Sequence, residues 1–558
     1  MGGTQSRASG GGEQIPYPPE NFPYMCIFFQ VPDLVRVLYA PQDAQHLLEA
    51  LAEEEWEPGL KLKKHKNCIL SLKLEGEPFK EGHWRQHKLF KAFVCLMVAR
   101  LTGTGWHWVF SSDLSRADFI SGMFFRKGPL AGAIPNFDPS PRLRKIACIS
   151  MCYKDRLNLI SFPSEFWSVA EEVIRKQYKP KSLQALAVQS NPGSGTGSSS
   201  IRRTVNKAAK PKPLGPLIQK IDRGQGEISF KLQGTPWCSV KDDRHFGRIL
   251  ILHLLRAAEK HGWNFYRTCN LQPRGSVLSN VNPREGDSLF FQEGEPNPTA
   301  QYFMICLDNG DHLRLIDCPT EICHVIEEIL VKHWPKPIQK SSEYFGSYQW
   351  KLKGWPWSGE GEDGVYAVLL LLKLLQRLHT EGWSVASSVD TNQFLRNTSV
   401  LLMRKEVPRK MQYFCLDFKL TDHVRVIGAP KNAEDTIERV IRERWVHGFD
   451  VVGPPDGLID YQLREHPWGN DPQDAILARA MLCHMLQALE AEGWQLITAA
   501  EITDDWHHSN RMYKEHCDSW VFGRARGRGR TQSLGVPRVT EDIPVIEDEL
   551  LPKTVEVF

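Results

Sequence analysis

Apolar residues along this chain fall into short blocks, and their spacing switches between two periods in an order that recurs four times. Each round opens on a compact run of β-formers, at 24–29, 146–151, 302–307 and 413–418. A second block alternates strictly, at 35–38, 157–160, 313–316 and 424–427, with Arg36, Arg314 and Arg425 on the polar side and Asn158 in the second round. Alternation of period two is the mark of a half-buried strand, so each round begins with a β-hairpin. A proline follows, and the period changes to that of a helix. Leu47, Leu48 and Leu51 form one stripe; Val325, Ile326, Ile329 and Leu330 form another; Ile437, Val440 and Ile441 a third. A third strand is expected at 70–74, 228–232, 348–352 and 461–463.

The second helix is the most apolar element. In the third round it spans about 365–379, where Leu371, Leu374, Leu375 and Leu378 mark one face. Leu369, Leu370 and Leu372 widen that face, which predicts a largely buried helix. A fourth strand starts at a Gly-Trp pair, and a fifth follows at 123–125, 289–291, 400–402 and 520–522. The loop between them is nine residues longer in rounds two and four, so it is the variable part.

Fixed landmarks tie the rounds together. Pro78-Phe79, Pro236-Trp237, Pro356-Trp357 and Pro467-Trp468 precede Gly105-Trp106, Gly262-Trp263, Gly382-Trp383 and Gly493-Trp494 by 27, 26, 26 and 26 residues. Asp33, Asp155, Asp311 and Asp422 each stand eight residues before Pro41, Pro163, Pro319 and Pro430. Fifteen residues after those prolines come Trp56, Tyr178, Trp334 and Trp445. The expected fold class is therefore α+β: four tandem ββαβαββ repeats, each a mainly antiparallel sheet with two helices on one face. The units read as 23–127, 145–293, 301–405 and 411–524, flanked by a disordered leader (1–22) and tail (525–558). Unit two is interrupted by a basic, disordered insertion at 182–224. The pattern leaves open whether the units form a ring or a string.

Composition adds little to the architecture but narrows the function classes. Of 558 residues 41% are hydrophobic and 24% charged, which are globular values, and the net charge of +3 selects no polyanionic partner. Thirteen cysteines are scattered, most in apolar runs, as in a reducing compartment and not a disulfide framework. The longest apolar run, 365–372, is far below the ~18 residues of a membrane-spanning helix. Residues 1–22 hold no apolar stretch of the kind a secretory signal needs.

Chemistry-bearing motifs are few. No P-loop, dinucleotide fingerprint, nucleophile elbow or zincin motif is present. No catalytic, cofactor or metal site is expected; His507, His508, His516 and Cys517 cluster without a zinc spacing. Met1-Gly2-Gly3-Thr4-Gln5-Ser6 matches the N-myristoylation pattern at Gly2. One myristoyl chain binds membranes weakly, so a second signal is required. Arg202, Arg203, Lys207, Lys210 and Lys212 would supply it by attraction to anionic lipid. Trp237, Trp355, Trp357 and Trp468 lie in turns and are candidates for contacting a protein partner. Pairs such as Asp33/Arg36, Asp311/Arg314 and Asp422/Arg425 are candidate repeated ion pairs.

Together these point to a non-enzymatic intracellular scaffold, peripheral on the cytosolic face of a membrane, with protein partners and an acyl chain at Gly2. One alternative is a soluble nucleic-acid-associated protein using the basic insertion and the Arg-Gly run 524–530, though that run lacks interleaved aromatics. Another is an enzyme whose chemistry leaves no motif.

Overall fold

A computed structural model describes residues 15–526, apart from 81–82, 115–119, 129–142, 180–215, 239–241, 272–285, 359–360, 392–397, 454–457, 470 and 504–516. Unit one runs β1 (Tyr24–Gln30), β2 (Leu34–Leu38), α1 (Gln42–Glu54), β3 (Leu60–Lys66), β4 (Ile69–Leu74), α2 (Trp84–Gly103), β5 (Trp106–Ser112) and β6 (Gly122–Lys127). Unit two repeats this as β7 (Ile146–Cys152), β8 (Arg156–Ile160), α3 (Ser164–Gln177), β9 (Ile218–Gly224), β10 (Glu227–Leu232), α4 (Asp242–Lys260), β11 (Trp263–Cys269) and β12 (Ser288–Glu293). Unit three has β13 (Tyr302–Asp308), β14 (His312–Ile316), α5 (Thr320–His333), β15 (Ile338–Tyr344), β16 (Ser347–Leu352), α6 (Gly361–Thr380), β17 (Trp383–Val389) and β18 (Val400–Lys405). Unit four has β19 (Met411–Lys419), β20 (His423–Ile427), α7 (Lys431–Arg444), β21 (Phe449–Val452), β22 (Ile459–Leu463), α8 (Pro472–Ala491), β23 (Gln495–Ala500) and β24 (Ser519–Ala525).

Each unit is one antiparallel six-stranded sheet, ordered β3-β4-β2-β1-β6-β5 in the first and equivalently in the rest. The expected α+β class and the four repeats hold. The element string gains one strand, ββαββαββ. The added strands β3, β9, β15 and β21 lie at the sheet edge, and β3 exposes nearly every side chain. An edge strand held by one neighbour and wet on both faces has no apolar alternation to betray it. Three boundaries shift as well. Residues 218–224, assigned to the basic insertion, form β9. Ile15 and Phe22, assigned to the leader, are buried, because they are apolar groups that find a cover. Ala525 closes β24, and the Arg526 N–H donates to Lys410 O at 2.9 Å.

The landmarks of the repeat are framework bonds. Backbone N–H groups of Leu74, Leu232, Leu352 and Leu463 donate to the carbonyls of Asp33, Asp155, Asp311 and Asp422. Phe79, Trp237, Trp357 and Trp468 donate their N–H to the same turns, at Pro32, Lys154, Gly310 and Thr421. The indoles of Trp237, Trp357 and Trp468 donate again, to the carbonyls of Arg156, His312 and His423. Trp56, Trp334 and Trp445 donate to Glu75, Lys353 and Arg464, and the Tyr178 hydroxyl to Gln233. The Gly-Trp glycines have φ near +80°, as helix-ending glycines do. At Gly382 a Cβ would stand 2.6 Å from Glu406 O.

The four units close into a ring. One face of each sheet packs on its own two helices. The other face packs on the long helix of the preceding unit: α2 on β7, α4 on β13, α6 on β19, and α8 back on β1. Met25, Ile27 and Phe29 thus join the unit-one core, whereas Tyr24, Cys26 and Phe28 join the core of unit four. Both faces of β1 are covered, which explains its unbroken apolar run. Strands β5, β11, β17 and β23 meet around the centre, each against the next, with β23 returning to β5.

Candidate functional site

The four inner strands each carry a β-bulge at the same place, with Val109, Tyr266, Ala386 and Ile497 as the extra residues. A bulge kinks its strand and re-aims the side chain there. All four bulge residues line one central cavity of about 180 Å³. Repetition ends at the residue after the bulge, which is Phe110, Arg267, Ser387 and Thr498 in turn. Arg267 Nε donates to Val109 O on the neighbouring inner strand, and Nη1 to Tyr266 O at 2.7 Å. Thr268 Oγ1 contacts Ser387 Oγ at 2.7 Å. His379, Ser384, Arg404, Glu406, Arg409 and Gln495 add polar lining on the side of units three and four. Burial raises the Glu406 carboxyl above its usual range, against an opposing hydrogen bond from Ser384. Burial, then Arg409, lowers His379 to about 4. The cavity therefore offers hydroxyl and guanidinium donors beside a neutral His379 imidazole, a setting that fits a small polar molecule or a few waters.

The seams between units have the same plan and different chemistry. Fourteen residues before each Gly-Trp glycine, the long helix presents Lys91, Arg248, Val368 and Arg479, all buried. Lys91 Nζ meets Ser150 Oγ at 2.6 Å and Cys152 Sγ at 3.7 Å in unit two. Arg248 Nη1 meets both carboxylate oxygens of Asp308 at 3.0 Å, and Arg314 Nη1 meets Oδ2 at 2.8 Å. Burial alone would raise the Asp308 carboxyl, but Arg248, Arg244 and Arg314 outweigh it and hold it well below the usual range. At the third seam Val368 is apolar, and the buried Lys419 turns instead to Thr503 Oγ1 at 2.6 Å and Asp417 at 3.7 Å. At the closing seam the Arg479 guanidinium lies 4.8 Å over the Phe28 ring.

A second set of positions, three residues before each glycine, holds Thr102, Glu259, His379 and Glu490. Glu490 accepts from Tyr24 at 2.6 Å and pairs with Arg126 at 2.7 Å, joining the last unit to the first. Glu259 likewise accepts from Tyr302 at 2.6 Å, and His379 Nδ1 contacts the Tyr413 hydroxyl at 2.9 Å. Backbone clasps complete the closure. Asp518 N–H donates to Asp113 O at 2.9 Å, and Asp113 N–H donates to Asp518 Oδ2 at 2.6 Å. Asp287 with Asp390, and Ser399 with Glu501, repeat that exchange.

Few of the expected site residues meet here. Gly2 and the basic residues Arg202, Arg203, Lys207, Lys210 and Lys212 lie outside the described residues, as do His507, His508 and His516. Cys517 is buried. Trp237, Trp357 and Trp468 are buried, so they are not partner-contacting side chains; each is spent on the turn bonds described above. Trp355 alone of the four is open, at 58% exposure. The expected Asp–Arg pairs do not form. Arg36 reaches Gln30, Arg314 reaches Asp308, and Arg425 reaches Asp460 on the adjacent strand β22, because each arginine reaches sideways to a neighbouring strand of its sheet. Arg524, first of the Arg-Gly run, stacks 4.4 Å over Trp494. Among the described residues no cluster of three or more His, Cys, Asp or Glu could hold a metal ion, and no helix is long and apolar enough to cross a membrane. Sequence reasoning missed the axis and the seams. The buried cations Lys91, Arg248 and Arg479 at one register position were the signal that could have found them.

Fold and seams together define a closed-ring repeat protein built from one α+β domain. A single domain-family model matches the chain four times, at residues 23–125, 197–292, 301–404 and 412–523, and the chain belongs to that family. The match in unit two takes in only its second half, beyond the hairpin and first helix. No curated protein and no solved structure matches.

Proposed function

We propose that this protein is a non-enzymatic scaffold, a ring of four domains that holds protein partners at its periphery and is tethered to the cytosolic face of a membrane by a Gly2 acyl chain. The observation that carries this reading is where the uncommitted apolar groups sit. The repeating aromatics are consumed by packing, yet Trp355, Val451 and Val452 are exposed on the outer half of sheets three and four. Exposed aromatics of this kind anchor protein contacts. The outermost strands differ in the same direction. Strand β3 carries four lysines, β9 Lys220 and Arg223, and β15 Lys340, whereas β21 has no basic residue. Lysine on a free edge discourages strand addition, so β21 is the edge open to an extended partner segment.

The leader supports the tether. Its last residues pack where unit four meets unit one, with the Tyr39 hydroxyl donating to Pro16 O at 3.0 Å and the Phe22 ring 4.7 Å from His484. Residues 15–22 are thereby fixed to the ring. The test is metabolic labelling with an alkyne-bearing myristate in a eukaryotic host, followed by fractionation. The wild type should take up label and sediment with membranes, and Gly2→Ala should lose both. Equal membrane retention of the two proteins would reject the tether.

A further inference from the structure

We propose that Cys318 and Cys323 form a reversible dithiol–disulfide site, oxidised by peroxide, on the turn between β14 and α5. The turn is set by the repeat. Two residues before the recurring proline, Tyr39, Ser161, Asp317 and Gly428 all adopt left-handed backbone, with φ of 62, 63, 57 and 73°. The next residue is thereby aimed at the first turn of the helix. In unit one the outcome is visible as a hydrogen bond five residues long, from Gln45 Nε2 to Ala40 O at 2.7 Å. Unit three places cysteine at both of these positions. Cys323 Sγ donates to Cys318 O at 3.9 Å, the counterpart of the Gln45 bond, which brings the Cys323 thiol against the Cys318 residue.

The pair is also accessible and unequal. Ten of the thirteen cysteines are buried, while Cys318, Cys323 and Cys238 are half-buried. The Cys318 thiol lowers its neighbour Cys323 below the usual thiol range, while Cys318 itself is raised by that neighbour and by burial. Cys323, in the first turn of α5 where a helix N-terminus favours a thiolate, is accordingly the nucleophile and Cys318 the resolving thiol. The Cys323 thiolate attacks hydrogen peroxide; an S–O bond forms, the O–O bond breaks, and hydroxide leaves as water. Cys318 then attacks the Cys323 sulfur, the S–O bond breaks, and the Cys318 proton leaves with the second water. Two thiols lose two electrons to one peroxide, and a small thiol restores them by exchange. The site adjoins a seam, since Asp317, immediately before Cys318, pairs with Arg256 of α4 in unit two.

The test uses the full-length reduced protein, treated with stoichiometric hydrogen peroxide and then with iodoacetamide, and read by peptide mass spectrometry. The segment holding both thiols should lose two hydrogens in mass and about tenfold of its alkylation, and dithiothreitol should restore both. Cys238, half-buried with its thiol raised by burial, serves as the internal control and should stay alkylatable. In Cys318→Ser, Cys323 should stop at the sulfenic acid and be trapped by dimedone. If both thiols still alkylate after peroxide at the rate of Cys238, or if Cys323 is over-oxidised in the wild type with no disulfide formed, the proposal is overturned. Because the first measurement needs no variant, poor folding of Cys318→Ser would not rescue it.

Discussion

At the scale of single residues, the ring is keyed by a few buried charges whose removal is costly. Asp308 is the sharpest instance, a carboxylate gripped by Arg248 and Arg314 with Arg244 3.5 Å away. Truncating one partner of a buried ion pair strands the other charge, typically at about 3–5 kcal/mol. Asp308→Ala should therefore lose about that much in urea unfolding, and Asp308→Leu with Arg248→Leu should recover part of it. The pH dependence has a definite sign. Asp308 ionises more readily in the folded chain than in the unfolded one, so its contribution is complete above the unfolded value of about 3.9 and fades as pH falls further toward the depressed folded value. Urea midpoints should drop in that acid range for the wild type and drop less for Asp308→Ala.

Among elements, the recurring aromatic turn offers a built-in comparison. Unit one fills the Trp237, Trp357 and Trp468 position with Phe79, which has no indole N–H to give. Trp357→Phe should fit sterically and cost about 1–2 kcal/mol, the worth of the bond to His312 O and of its stranded acceptor. A loss beyond about 4 kcal/mol in thermal or urea melts would mean that packing, not the bond, sets this turn. The same turn shows what the chain made legible. Its Pro-aromatic and Gly-Trp landmarks marked real helix ends and hairpins because each satisfies a local backbone demand. The outer strands escaped notice because 60–66, 218–224, 338–344 and 449–452 answer to a neighbour's hydrogen bonds and not to burial. The ring was half written in the sequence. Runs such as Tyr24–Phe29 lack alternation, which in retrospect demands cover on both faces, but nothing local says which helix provides it. Trp237, Trp357 and Trp468 failed as candidate binding residues for a related reason: a tryptophan after proline in a turn looks the same in sequence whether its indole faces water or a carbonyl.

For the whole molecule, circular packing makes the units mutually dependent. Removing residues 411–558 would bare the α6 surface that covers Met411, Tyr413 and Cys415 and the unit-one face formed by Tyr24, Cys26 and Phe28. That truncation should self-associate in sedimentation, whereas the full chain should melt in one calorimetric transition; four resolved transitions would show that the seams couple little. The helix-on-back contact is head-to-tail, the kind that generates either a closed cycle or an endless filament. Here it comes full circle after the fourth copy. A solitary ancestor of this domain, using the same contact, would have had to assemble as a homotetramer with identical joints. Within one polypeptide no symmetry binds the joints to one another, and lysine on serine, arginine on aspartate, valine, and arginine on phenylalanine stand where a symmetric tetramer would require a single solution.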